Sequence, residues 1–550
     1  MSPDNSVELD DRIKAKGTVY LGRRMNLVQK QETAPLVGGG GFVSARPSGG
    51  FVPAVDDPFA GFSGSQVRAE RLVWDFTRTE EPVTMEDDGL TTSYVCFGRP
   101  RSGKTKLLTL LLQQLLDLKT KQPEKRFGGL ILDPKAALIT DLRKAVADAG
   151  RTEDLTVINA EELVASGTGV NPIDAAFDPY ELGKMLVLAA QSAGTQASEP
   201  FWFGAWTNLF GAAIYLMRMH STNVLTLRDL LDAVLVMEGG DLAHARPPER
   251  GIQRIAREVE EDLPGLGEDE QQDARRAINQ VEQFYRQEPD NIETVNTLIT
   301  NAYSAFQQSR FRCFSPEQDA TEKRLTFYDR IIEEGRLVLV SVSPSDPGLA
   351  KVLCTLIKCL FQATVLSRQA RVRAGTLTNY IRPLVLAIDE YSQVASEIPG
   401  EPMGDGNFFS LSRQNGCLGL VVTQSVNVLQ ATSLKENWKS IFSNFAAKIF
   451  MALGDSETTE EATKLIGDTD WQLTSFGTSQ GGGSGSASTN TDLRERKFPS
   501  SVFTQLVERR QAVVVGSLDG NDSQPRTWFV EIPENVPPKA EWKKKDAKDA

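Results

Sequence analysis

The chain has 550 residues, a formal net charge of −13 and 40% hydrophobic residues. That length allows two or three domains with sizeable cores, and the acidic balance argues against a protein that coats nucleic acid through its whole surface. Five cysteines without a CxxC pair and only two histidines, His220 and His244, argue against a structural zinc site and fit a reducing cytosol. Residues 1–16 lack the apolar core of a signal peptide.

Residues 1–60 are rich in Gly, Pro and polar side chains and predict a flexible arm. Within 61–177, the apolar runs Tyr94–Phe97, Gly129–Asp133 and Leu155–Asn159 predict buried strands, and the spacing of Leu107–Leu118 predicts a helix. Strands alternating with helices indicate α/β architecture with a parallel sheet. From 178 to 330 the apolar spacing turns helical, which predicts an all-α insertion. The charge-dense stretch Glu258–Arg276 reads as a solvated helix pair broken at Pro264-Gly265. The sheet resumes over 331–530 with strands predicted at Arg336–Val342, Leu384–Ile388, Leu418–Thr423, Ala446–Met451 and Ala512–Val515, and a helix over Leu349–Ser367. Residues 477–492 read as a flexible Gly/Ser loop and 531–550 as a disordered tail.

The strongest chemical signal is Gly98-Arg99-Pro100-Arg101-Ser102-Gly103-Lys104-Thr105, a complete GxxxxGK[ST] pattern lying between a predicted strand and a predicted helix. Such a loop wraps backbone N–H groups around a phosphate and needs glycine where a Cβ would collide. Gly98, Arg101, Ser102 and Gly103 are therefore candidate ATP-contacting residues. Lys104 is the candidate β/γ-phosphate cation and Thr105 the candidate Mg²⁺ ligand. The partner signal is Leu384-Val385-Leu386-Ala387-Ile388-Asp389-Glu390, a buried strand that ends in two acids. Asp389 is a second candidate Mg²⁺ ligand, and Glu390 a candidate general base for the attacking water. Gln424, at the end of the next predicted strand, could sense the γ-phosphate, and Arg413 could reach a neighbouring subunit's ATP. From the residues alone, Gln424 reads equally well as a loop amide and Arg413 as a surface cation. The uncharged run Phe201–Met217 is near the lower length limit of a membrane span. It carries Thr207 and Asn208 in its middle and separates the two halves of the nucleotide motif, so it reads as a buried helix.

Taken together, these motifs resemble the conjugative coupling proteins of type IV secretion, the VirD4/TraG/TraD ATPases. The likeness spans about 94–530. It includes the glycine loop, Asp133-Pro134-Lys135, Asn171-Pro172-Ile173-Asp174, Ile388-Asp389-Glu390-Tyr391, Ser412-Arg413 with Gly416, and Thr423-Gln424-Ser425. Phe442-Ser443-Asn444, Glu460, Ala462 and Gly467 extend it. The resemblance implies a RecA-like P-loop domain of the FtsK/HerA branch with an inserted helical domain, working as a homo-hexamer. It implies ATP and Mg²⁺ as cofactors, with Asp389, Glu390, Gln424 and Arg413 as catalytic candidates. Implied partners are DNA, a relaxase–DNA complex or a secreted protein, together with the channel's ATPases. Two departures stand out. Family members start with two membrane helices and none is readable here, which implies a cytoplasmic variant, at most peripheral to the membrane. Ala136 also stands where the family has glycine. Two other functions fit the same motifs: a substrate receptor that recognises proteins through 178–330, and a DNA pump of the FtsK/HerA branch unconnected with conjugation.

Overall fold

The computed structural model describes residues 17–33, 70–192, 200–238 except 222, 249–318, 325–342, 347–397, 404–478 except 433, 486–496, and 500–538 with short gaps. The N-terminal strands β1 (Thr18–Thr33) and β2 (Glu70–Glu86) pair as an antiparallel ribbon. After them come β3 (Ser93–Phe97), α1 (Lys104–Asp117), β4 (Gly128–Asp133), α2 (Ile139–Asp148), β5 (Leu155–Ile158) and α3 (Ala160–Ser166). The helical part follows: α4 (Pro179–Ser192), α5 (Pro200–His220), α6 (Leu227–Leu235), β6 (Met237–Glu238), β7 (Glu249–Arg250), α7 (Gly251–Asp262), α8 (Glu268–Tyr285) and α9 (Pro289–Gln307). Next are α10 (Phe327–Glu333), β8 (Leu337–Ser341), α11 (Pro347–Arg373), β9 (Leu384–Ile388), α12 (Asp405–Leu411), β10 (Cys417–Thr423), α13 (Val426–Gln430) and α14 (Trp438–Asn444). The chain closes with β11 (Ala447–Phe450), α15 (Ser456–Ile466), β12 (Asp468–Thr478), β13 (Ser486–Arg496), β14 (Gln511–Gly516) and β15 (Arg526–Glu531).

Eleven strands form one sheet in the order β2-β1-β15-β14-β11-β3-β10-β9-β4-β8-β5. The seven from β11 to β5 are parallel, and β14, β15, β1 and β2 continue it antiparallel. The sheet is therefore mixed, where the sequence predicts a parallel one. The parallel strands are apolar throughout because both faces are covered. Along β9, Leu384, Leu386 and Ile388 point into one core, while Val385 and Ala387 point into the other. Leucines of α1 and α2 fill the second core, and α11 with the helical part fills the first. This is the α/β class with an inserted helical unit that the sequence predicts.

Within the helical part, α5 packs against α4, α6, α7 and α8. Trp206 of α5 is fully buried and meets Phe210 and Tyr303 edge-on, at centroid distances of 5.7 and 6.4 Å. Among the described residues, only α11 is long and apolar enough to cross a membrane, and 83% of its apolar window is buried in the fold. It is a core helix by that measure.

Several sequence expectations change. The flexible arm expected over 1–60 does not hold for 18–33, because β1 buries Val19, Tyr20, Leu21 and Met25 and pairs with both β2 and β15. The rest of that arm, except Gly17, lies outside the described residues. The loop expected at 477–492 is partly ladder, with Gly477 opposite Ala487 and Thr478 opposite Ser486; residues 479–485 lie outside the described ones. The tail expected from 531 does not begin there, since Glu531 ends β15 and Ile532 is buried. Positions 539–550 lie outside the described residues. Finally, the insertion expected to be all-α holds a two-residue ladder, β6 with β7.

Candidate nucleotide site

A parallel sheet collects the C-terminal ends of its strands along one edge, and ligand groups gather there. Here β10 lies between the glycine-loop strand β3 and the acid-ending strand β9, and β4 follows β9. Residues 98–103 turn sharply out of β3. Arg101 and Gly103 take left-handed backbone, with φ of 66° and 101°, and α1 starts at Lys104. A Cβ on Gly98 would lie 2.5 Å from Ser102 Oγ. The first N–H groups of α1 have no partner within their own helix and carry its positive end, so this turn favours an anion. Lys104 Nζ donates to Gly98 O at 2.5 Å and to Arg99 O at 2.9 Å, which places its ammonium in the curve of the loop. Burial holds that ammonium below the usual lysine range; the nearby Glu390 and Asp389 oppose the shift.

Thr105 Oγ1 donates to Asp389 Oδ2 at 3.1 Å, across a sequence separation of 284. Burial raises the Asp389 carboxyl above the usual range, and the Thr105 bond works against that. Glu390 follows in left-handed backbone, φ 63° and ψ 60°, a conformation that costs a non-glycine residue about 1–3 kcal/mol. Its Oε2 accepts from Lys135 Nζ at 2.6 Å and from Gln424 Nε2 at 3.3 Å, and its Oε1 accepts from Ser392 Oγ at 3.2 Å. Asp133, fully buried at the end of β4, accepts from the N–H groups of Ala137 at 2.9 Å and Leu138 at 2.7 Å. Burial raises its carboxyl above the usual range, with those two bonds opposing. The same turn puts Ala136 at φ 53°, which is why glycine suits this position and alanine carries some strain.

The structure thus brings Gly98, Arg101, Ser102, Gly103, Lys104, Thr105, Asp389, Glu390 and Gln424 to one edge of the sheet. Arg413 is not among them. It precedes β10, whose seven residues put about 20 Å between the two edges. Its Nη2 donates to Gly520 O at 3.0 Å and lies 4.0 Å from Asp88. Arg413 therefore belongs to the opposite edge of its own subunit. Lys135 is the site residue whose contact the sequence did not supply: the motif singled it out, but the partner 255 positions away emerged only on folding.

Residues 383–500 match the family model described as the TraM recognition site of TraD and TraG. No curated protein matches the chain by sequence. Among solved structures, the bacterial conjugative coupling protein TrwBdeltaN70 in its unbound form aligns with a TM-score of 0.53 at 14% identity, over 82% of this chain and 87% of that one. The chain has the fold of a conjugative coupling protein. TrwB bound to the GTP analogue GDPNP aligns with a TM-score of 0.52 at 12% identity, and TrwB bound to ADP and Mg²⁺ with 0.52 at 13%. Both cover 82% of this chain, and 87% and 86% of theirs. The family read from the motifs and the family of the matched fold are the same.

Proposed function

We propose that this protein is an ATP-driven coupling motor that recruits DNA, a nucleoprotein or a secreted protein and drives it into a conjugation or type IV secretion channel. The observation that carries the reading is the 3.1 Å contact between Thr105 of the glycine loop and Asp389 at the end of β9, with Glu390 beside them. Two oxygen donors this close suit a hard cation, so Thr105 and Asp389 would hold Mg²⁺, which offsets phosphate charge when bound. The glycine loop and Lys104 would grip the phosphates. Glu390 would orient a water and take its proton, with Gln424 positioned to report on the γ-phosphate. Arg413, bonded to Gly520 O at the far edge, could act only on a neighbouring copy's nucleotide, and the proposed assembly is a homo-hexamer. The match at 383–500 to a TraM recognition site supports a partner from the conjugation machinery, and the finer partners proposed are a relaxase–DNA complex and the channel's ATPases. We place the protein in the cytoplasm or at the inner face of the membrane.

The test is phosphate release with and without DNA at low salt, with mass measured on the same sample. Hydrolysis stimulated by DNA, assembly with nucleotide, and loss of turnover in Lys104→Ala are expected. Hydrolysis without DNA binding or response would overturn the DNA-motor form and leave protein substrates as the cargo.

A further inference from the structure

The acid assigned to activate water is clamped. Lys135 and Gln424 both donate to Glu390 Oε2, and Ser392 donates to Oε1. A carboxylate bound to an ammonium has less electron density to offer a water proton. The two halves of the pair are not equally fixed. Glu390 is 8% exposed and sits on strained backbone at the end of β9, whereas the Lys135 side chain is 48% exposed on a flexible four-carbon stem. Lysine is the half that can leave.

Its backbone, by contrast, is held. Pro134 fixes one dihedral before it, and the buried Asp133 carboxylate ties down the turn through the Ala137 and Leu138 N–H groups. Lys135 meets Glu390, and the adjoining Asp389 accepts from Thr105 at the end of the glycine loop, so the ammonium lies at the same edge of the sheet as that loop. An ion pair whose lysine is half exposed is screened by water and contributes less to folding than a fully buried one. Its position at the general base is therefore better explained by the reaction than by stability.

We propose that Lys135 has two competing partners, the Glu390 carboxylate and the terminal phosphate of a bound nucleoside triphosphate. Paired with Glu390, it restrains the base. Drawn to the more highly charged γ-phosphate, it releases Glu390 towards water and adds a second cation beside Lys104. A diphosphate presents no such group, so the exchange makes the site selective for the triphosphate. This inference rests on the nucleotide reading above.

The full-length chain with Mg²⁺ is titrated with ADP and, separately, with a non-hydrolysable ATP analogue. Lys135→Ala is expected to weaken the analogue about tenfold while leaving ADP within about twofold. Lys135→Arg keeps the charge and is expected to restore most of the difference. Glu390→Gln removes the competing partner and is expected to tighten the analogue in the native background, but not in Lys135→Ala. Equal effects of Lys135→Ala on both nucleotides, or none on either, would overturn the exchange. So would an equal response to Glu390→Gln with and without Lys135. Failure of the native protein to bind either nucleotide would instead overturn the ATP reading itself, and the exchange with it.

Discussion

Two lysine–carboxylate pairs flank the turn that follows β9, and both have a closest N···O distance of 2.6 Å: Lys135 with Glu390, and Lys358 with Asp405. Their surroundings are opposite. Lys358 and Asp405 are both fully buried. Asp405 also accepts from Gln362 at 2.8 Å, from the Tyr391 hydroxyl at 2.8 Å and from the Ser396 N–H at 2.9 Å. Lys358 spends its other protons on Val394 O at 2.6 Å and Ser396 Oγ at 2.9 Å. Nothing in that network can change partner without leaving a buried charge bare. The network ties α11 and α12 to residues 391–396, and so fixes where Glu390 leaves the strand. The Lys135 pair is open to solvent on one side and free to exchange. One bond length thus serves two purposes, a lock and a switch, and burial decides which.

The comparison breaks if the two pairs respond alike to truncation. Lys358→Ala leaves Asp405 buried and unpaired, so unfolding in denaturant should show a loss of about 3–5 kcal/mol. Replacing both partners with apolar residues should recover much of that loss. A smaller change is expected from Tyr391→Phe, which removes one hydrogen bond to a carboxylate that keeps three other donor groups, Lys358, Gln362 and the Ser396 N–H; about 1–2 kcal/mol should be lost in the same experiment. Lys135→Ala should cost under about 1 kcal/mol of stability, because the lysine is half exposed and Glu390 keeps its bonds from Gln424 and Ser392. A Lys135→Ala loss as large as that of Lys358→Ala would make both pairs structural and remove the switch.

The parallel half of the fold was legible because strands buried on both faces read as unbroken apolar runs, as in Tyr94–Phe97 and Leu384–Ile388. Of the antiparallel half, only β14 was legible, as the apolar run Ala512–Val515; β1, β2 and β15 were not. Strands β1 and β2 mix charged and polar residues into their ladder, and β2 carries Glu80, Glu81 and Pro82, which break the strand signal. The nucleotide motifs were legible because glycine spacing and a strand ending in Asp-Glu are local patterns. Asp405 and Lys358 were invisible for the opposite reason: Lys358 stands in an apolar helix, and its partner comes from a separate helix 47 positions away. The role of Arg413 was open in sequence, and topology narrows it, since the far edge of the sheet excludes its own subunit's site.

The most direct test compares native protein with Glu390→Gln at saturating Mg-ATP, measuring phosphate release and ATP binding on the same samples. The variant is expected to bind ATP at least as well as the native protein and to turn it over about a hundredfold to ten-thousandfold more slowly. A Glu390→Gln variant that hydrolyses ATP at the native rate would contradict the assignment of this edge of the sheet as the catalytic site.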